Sequence, residues 1–208
     1  MNLSALIFDM DGTLGDTIPS ILIALRETFA RFSGRIYTDE EIFAMFGPSE
    51  EGMIEQRVPA ELYEAAFRFF LQRYGELHAT QPFSGIRDLI VRQKERGMRI
   101  AVATGKGPRS AAISMRAYDL NTYIDLLETG SKHGAVKPEL IRRVLDAWGI
   151  PASEAAYIGD AQSDMADARA VGVLPIGAAW SQSATVTDAD TPYRFTRVEE
   201  LQAWLERA

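Results

Sequence analysis

The spacing of hydrophobic and polar positions changes character along this chain. Three short runs, Ala5-Leu6-Ile7-Phe8, Ile100-Ala101-Val102-Ala103 and Ala155-Ala156-Tyr157-Ile158, are apolar at every position. Such runs mark strands buried on both faces, as in a parallel sheet covered by helices. Weaker strand candidates lie at 123–127 and 173–176. Between and beyond these strands, helical spacing predicts helices over 86–96, 109–118, 139–148, 164–171 and 198–207. From residue 83 onward the pattern therefore predicts repeated βαβ units, and with them a doubly wound, Rossmann-like α/β core around a parallel sheet.

Residues 15–82 break that alternation. Helical spacing covers 18–32, 39–46, 49–57 and 60–77, with Thr38, Asp39 and Ser49 as capping candidates and no strand in view. The expectation is a small α-helical cap domain, residues 15–82, inserted after the first strand. The core is then 1–14 and 83–208, re-entered through Gln81-Pro82-Phe83. Phe67, Phe69, Phe70 and Tyr74 fall mostly at helical spacing and read as packing within that cap.

Composition narrows the chemistry. With 22 basic and 29 acidic residues the net charge is −7, which argues against a phosphate-backbone footprint and so against a nucleic-acid partner. The chain has no cysteine and two histidines, which excludes disulfides, thiolate chemistry and a multi-histidine metal cage. No run is long or apolar enough to span a membrane, and the first residues lack the features of a signal peptide. A cytoplasmic protein, as monomer or homodimer, is expected. His78 and His133 fall in predicted loops and read as solvated or capping residues.

Open α/β sheets bind ligands outside the carboxyl ends of their strands, and all three strong strands end there in polar residues. Asp9 and Asp11, in Asp9-Met10-Asp11-Gly12-Thr13-Leu14, lie two apart, so in extended backbone they project to one side and Met10 to the other. Paired carboxylates need a cation or a division of labour. Asp160 and Asp164 are spaced i, i+4 in Gly159-Asp160-Ala161-Gln162-Ser163-Asp164, an oxygen set that suits a hard cation, with Ser163 as a possible cap. Thr104-Gly105-Lys106-Gly107-Pro108 joins a buried strand to a helix and could cradle a phosphate through its hydroxyl, its amides and the helix N-terminus. Lys137, before Pro138, sits in another strand-to-helix connection where its ammonium could meet an anion.

Together these residues resemble the haloacid dehalogenase superfamily of phosphatases along nearly the whole chain. Asp9-x-Asp11-Gly-Thr-Leu looks like the first motif of that family, 100–104 the second, Lys137-Pro138 the third and Gly159-Asp160-x-x-x-Asp164 the fourth. The stretches Leu14-Gly15-Asp16-Thr17-Ile18-Pro19 and Phe46-Gly47-Pro48-Ser49 are similar to the phosphoglycolate phosphatase group with its α-helical cap. The resemblance implies a magnesium-dependent phosphatase acting on a small phosphorylated metabolite. Asp9 would be the nucleophile that forms an aspartyl phosphate and Asp11 the general acid and base. Thr104, with Gly105 and Lys106, would bind the phosphoryl group, and Lys137 would hold both phosphate and nucleophile. Asp9, the Asp11 carbonyl and Asp160 would hold Mg2+, with Asp164 touching it directly or through another ligand, and the cap, through Ser49 and Glu50, would select the substrate.

Two readings stay open. Lys132 rivals Lys137 for the third motif, and Glu50 and Glu51, if they face the site, would disfavour a carboxylated substrate. A sugar phosphomutase of the same superfamily is the nearest alternative, although Pro19, Ser20 and Ile21 stand where its histidine is expected. A catalytically silent binding module should have lost a charged motif residue, and none is missing.

Overall fold

Alternate residues of the first strand, β1 (Ala5–Phe8), serve two different cores: Leu6 and Phe8 face one side of the sheet, Ala5 and Ile7 the other, all fully buried. The computed structural model describes residues 3–134 and 136–207. In it β1 lies inside a six-stranded sheet with β2 (Arg99–Ala103), β3 (Leu126–Glu128), β4 (Ala155–Gly159), β5 (Leu174–Ala178) and β6 (Arg194–Phe195). Every pairing is parallel, the order is β3-β2-β1-β4-β5-β6, and Phe8 stands level with Val102 and Ile158. The chain winds outward from β1 through β2 to β3 and then crosses back to β4. The direction of winding thus reverses between β1 and β4, where sheets of this kind leave a crevice at their carboxyl edge.

Helices α1 (Ile18–Phe32), α2 (Asp39–Phe43), α3 (Glu50–Glu55) and α4 (Tyr63–Leu77) follow β1 and enclose a core of their own. Phe67, Phe70 and Tyr74 are spaced to share one face of α4, where their rings stack at 6.1 and 5.9 Å beside Phe29, Leu25 and Ile54. Burying each such side chain contributes about 1.5–3 kcal/mol. Thr38 caps α2 reciprocally with Glu41. The sheet is covered on one face by α5 (Ile86–Glu95), α6 (Pro108–Ala117) and α9 (Val198–Leu205), and on the other by α7 (Lys137–Trp148) and α8 (Gln162–Val171). Among the described residues, no helix is long and apolar enough to cross a membrane.

Several local expectations need correction. The helix expected over 39–46 stops at Phe43, and the one expected over 60–77 opens with a 3-10 turn at Ala60–Leu62. The edge strand lies at Leu126–Glu128 rather than 123–127, because the Asp125 carboxylate takes the Ile100 amide and ends the preceding turn. Ser163 is exposed inside α8, and the side chain that closes its first turn is Asp164, which accepts the Ala161 amide proton at 3.0 Å. His78, expected as a solvated or capping residue, stands at the C-cap of α4 but is buried rather than solvated: its ring packs 5.0 Å from that of Tyr74 and 4.9 Å from that of Tyr118. Its Nδ1 donates to the Ala79 carbonyl, which leaves Nε2 to accept from Ser114 Oγ at 2.9 Å.

Candidate active site

Asp9 leaves β1 at the carboxyl edge, where its amide still donates to the Ile158 carbonyl of β4. Met10 turns into the sheet core and is fully buried, which sends Asp9 and Asp11 to the other side, as their spacing requires. The chain then reverses tightly: the Gly12 amide donates to the Gly15 carbonyl at 3.0 Å. Gly12 adopts φ +77, and a Cβ there would stand 2.2 Å from an Asp160 carboxylate oxygen. Only glycine lets the β1 turn and the end of β4 come this close.

Three buried carboxylates meet at that junction. Asp9, Asp160 and Asp164 each offer an oxygen within 4.8 Å of the others'. Lys137, the first residue of α7, reaches in behind them, its ammonium 2.9 Å from Asp9 Oδ2 and 2.5 Å from Asp164 Oδ1. Burial works against the charge on Lys137, but Asp164 and Asp9 outweigh it and hold the proton well above the ordinary lysine range. Asp160 has no such cation in contact among the described residues. Burial first, then repulsion from Asp9 and Asp164, pushes its pKa up to about 8, and burial also raises Asp164 against the pull of Lys137. Asp9 Oδ1 is buried with no hydrogen-bond partner among the described residues. An orphaned carboxylate oxygen amid hard, mutually repelling oxygen donors fits a divalent cation such as magnesium. The rival Lys132 instead pairs at 2.7 Å with Glu55, both about half exposed, away from this cluster.

Asp11 faces a different set of groups. Its carboxylate accepts from Thr17 Oγ1 and lies 3.2 Å from Lys106 Nζ. Burial raises the Asp11 pKa, Lys106 opposes the rise, and Glu50 adds to it. Lys106 itself has no exposed side-chain surface. Its ammonium lies 2.9 Å from Glu50 Oε1 and 4.3 Å from the centre of the Tyr74 ring. Burial opposes its charge and the two carboxylates restore it, so Lys106 also sits well above its usual range. Glu50 Oε2 accepts the Gly107 amide at 2.8 Å, just ahead of α6. Thr104, after β2, is buried and its Oγ1 accepts the Lys106 amide at 3.3 Å, leaving the hydroxyl proton to be donated elsewhere. A Cβ on Gly130 would come 1.9 Å from the Gly105 carbonyl, so a glycine lets the loop after β3 press against Thr104–Gly107.

A cavity of about 490 Å³, a size common for small-molecule sites, opens between the sheet edge and the helices after β1. The expected residues Asp9, Asp11, Ser49, Thr104, Gly105, Lys106, Lys137 and Asp160 all line it. Asp164 lies behind, fully buried, and meets Lys137. Ile18, Ile21, Phe43, Phe46, Met53 and Val136 form its apolar wall. Sequence reasoning passed over Thr17, Asp167, Ser183 and Thr185. Thr17 reaches Asp11 only because the turn folds back, and Thr185 is brought in by the hydrogen bond that its amide donates to the Asp160 carbonyl. Neither link has a signature in the residue pattern.

The profile of the haloacid dehalogenase-like hydrolases matches residues 6–178. A protein of Caldanaerobacter subterraneus subsp. tengcongensis, provisionally called the pyrophosphatase PpaX, is 28% identical over 187 residues, which are 87% of this chain and 84% of its own. The phosphoglycolate phosphatase of Pseudomonas savastanoi pv. phaseolicola is 27% identical over 178 residues, 80% of this chain. The match spans 65% of the length of that phosphatase. The crystal structure of CbbY from Rhodobacter sphaeroides in complex with phosphate has the same fold, with a TM-score of 0.78 at 24% identity over 96% of both chains.

Proposed function

The chain belongs to the haloacid dehalogenase-like hydrolases, and from that premise we propose that it is a magnesium-dependent phosphatase, hydrolysing a small phosphomonoester through an aspartyl-phosphate intermediate. The observation that carries the reading is the state of Asp9. Lys137 fixes one of its carboxylate oxygens while the other is buried and unpartnered. That arrangement aims a nucleophile and leaves its surroundings short of positive charge.

In this reading an Asp9 oxygen forms a bond to phosphorus as the ester P–O bond breaks, and the departing alkoxide takes the proton of Asp11. Burial, which raises the Asp11 carboxyl, favours its carrying that proton. Asp11, now a carboxylate, takes a proton from water as the water oxygen attacks the aspartyl phosphate. Inorganic phosphate leaves and Asp9 is regenerated. The Thr104 hydroxyl and the Gly105 amide donate to the phosphoryl oxygens, and Lys137 holds Asp9 in line. Asp9, Asp160, Asp164 and the Asp11 carbonyl would hold magnesium. When bound, it supplies positive charge against a phosphoryl dianion that these carboxylates alone would repel.

The roles of Asp9 and Asp11 separate experimentally. Asp9→Asn should abolish both turnover and covalent phosphorylation. Asp11→Asn should slow turnover by about 10²–10⁴, most for alkyl phosphates whose leaving groups need the proton, and phosphoenzyme formed from an aryl phosphate should persist. Rapid quench with mass spectrometry decides the assignment: a phosphoenzyme on Asp9→Asn, or equal slowing of aryl and alkyl substrates in Asp11→Asn, would sink it.

A further inference from the structure

We infer that Glu50 sets the substrate class: by occupying Lys106 it restricts the cavity to phosphomonoesters whose leaving group carries no negative charge. The inference rests on the phosphatase reading above and narrows it.

The cavity is short of available cations. Among the described residues lining the cavity there are two lysines, no arginine and no histidine, against the carboxylates of Asp9, Asp11, Glu50, Asp160 and Asp167. Lys137 lies between Asp9 and Asp164, on the phosphoryl side. A second anionic group on a substrate, whether carboxylate or further phosphate, would have to be met by Lys106. Its ammonium is already engaged on three sides, by Glu50 at 2.9 Å, Asp11 at 3.2 Å and the face of Tyr74 at 4.3 Å. An ammonium has three N–H donors, so none is left over.

Glu50 cannot readily be displaced. It is buried, and its second oxygen holds the Gly107 amide at 2.8 Å. A substrate carboxylate placed here would face the Glu50 carboxylate without a partner, in a site where like charges and unpaired buried groups are heavily penalised. The remaining surface on the cap side, Ile21, Phe43, Phe46 and Met53, is apolar. Phe43 and Phe46 keep 43% and 40% of their surface exposed, with ring centres 5.2 Å apart, and offer contact area rather than charge. A neutral alcohol fits that wall.

The test is a matched substrate pair, 2-phosphoglycolate and 2-hydroxyethyl phosphate, which differ by a carboxylate in place of a CH2OH, measured with magnesium beside phenyl phosphate. The unaltered protein should show kcat/KM at least about tenfold higher for 2-hydroxyethyl phosphate. Glu50→Ala, which frees Lys106, should move the ratio toward 2-phosphoglycolate by about tenfold or more, and Glu50→Gln should move it in the same direction. A ratio does not depend on how much of a variant folds, and the unaltered protein reads the first outcome with no variant at all. Equal or faster turnover of 2-phosphoglycolate, or a ratio unmoved in both variants, would overturn the assignment of Glu50 while leaving the phosphatase standing. No hydrolysis of any of the three esters would overturn the phosphatase reading and this one with it.

Discussion

Replacing Lys137 with methionine keeps the length of the side chain but leaves Asp9, Asp160 and Asp164 facing one another without their ammonium. The contacts are close and sheltered: the Lys137 side chain is 16% exposed, Asp9 9% and Asp164 0%. Two unit charges about 3 Å apart attract by roughly 5–6 kcal/mol at an effective dielectric constant near 20, before the cost of burying them is subtracted. Removing one partner from a buried set, so that the others remain uncompensated, costs about 3–5 kcal/mol net. Proton uptake by the stranded carboxylates limits the loss, which places the expectation near the lower end, about 3 kcal/mol. Lys132→Met is the internal control. Its half-exposed pair with Glu55 belongs to the class worth about 0–1 kcal/mol. Urea unfolding of the parent and both variants at neutral pH, in a chelator so that no added cation substitutes for the ammonium, reads the difference directly. With magnesium restored, turnover by Lys137→Met should fall by about 10²–10³ on every phosphate ester, and turnover by Lys132→Met should not. A Lys137→Met protein within about 1 kcal/mol of the parent, or equal losses in the two variants, would show that Lys137 does not compensate the carboxylate cluster.

Two further outcomes follow from the same geometry. Excess chelator should abolish turnover and magnesium restore it, while calcium, with its larger and less regular coordination shell, should inhibit by engaging both Asp9 oxygens; full activity in chelator would count against the metal. Burial, helped by nearby Lys106, holds His78 below the ordinary imidazole value of 6.5 although the Ala79 carbonyl opposes it, so the unfolded chain binds more protons there than the folded one. The stability this group contributes is present above about pH 6.5 and is lost as the pH falls through the lower folded value; Tm of His78→Phe should fall less between about pH 7 and 5 than that of the parent, and parallel curves would refute the assignment.

What could be read from the residues alone divides along physical lines. β1, β2 and β4 were legible because burial on both faces demands apolar side chains throughout, and the strand-end residues Asp9, Thr104 and Asp160 followed from them. β3 was legible in place but not in bounds, being a partly exposed edge whose start depends on Asp125 bonding the Ile100 amide, and β6 was not legible, having two residues, too few for a period. That Lys137 rather than Lys132 lies beside Asp9 depends on the direction of the first turn of α7, which spacing does not encode. The sequence marks Glu50 as a cap residue that could face the site, but not its partner Lys106, which lies 56 positions on. His78 reads as solvated or capping because it falls in a predicted loop, whereas the end of α4 presses its ring onto Tyr118.

The position of β1 has a consequence for how the molecule is made. Its neighbours in the sheet are β2 and β4, and β4 ends at Gly159. At roughly 5–20 residues per second, a ribosome adds the intervening chain in something of the order of ten seconds. Throughout that interval an apolar strand waits with one or both edges unpaired, the kind of segment that sticks to other chains or recruits a chaperone. Asp9 rides on that strand, so a pocket whose foremost carboxylate is synthesised early takes shape only when a distant part of the polypeptide has emerged and docked beside it.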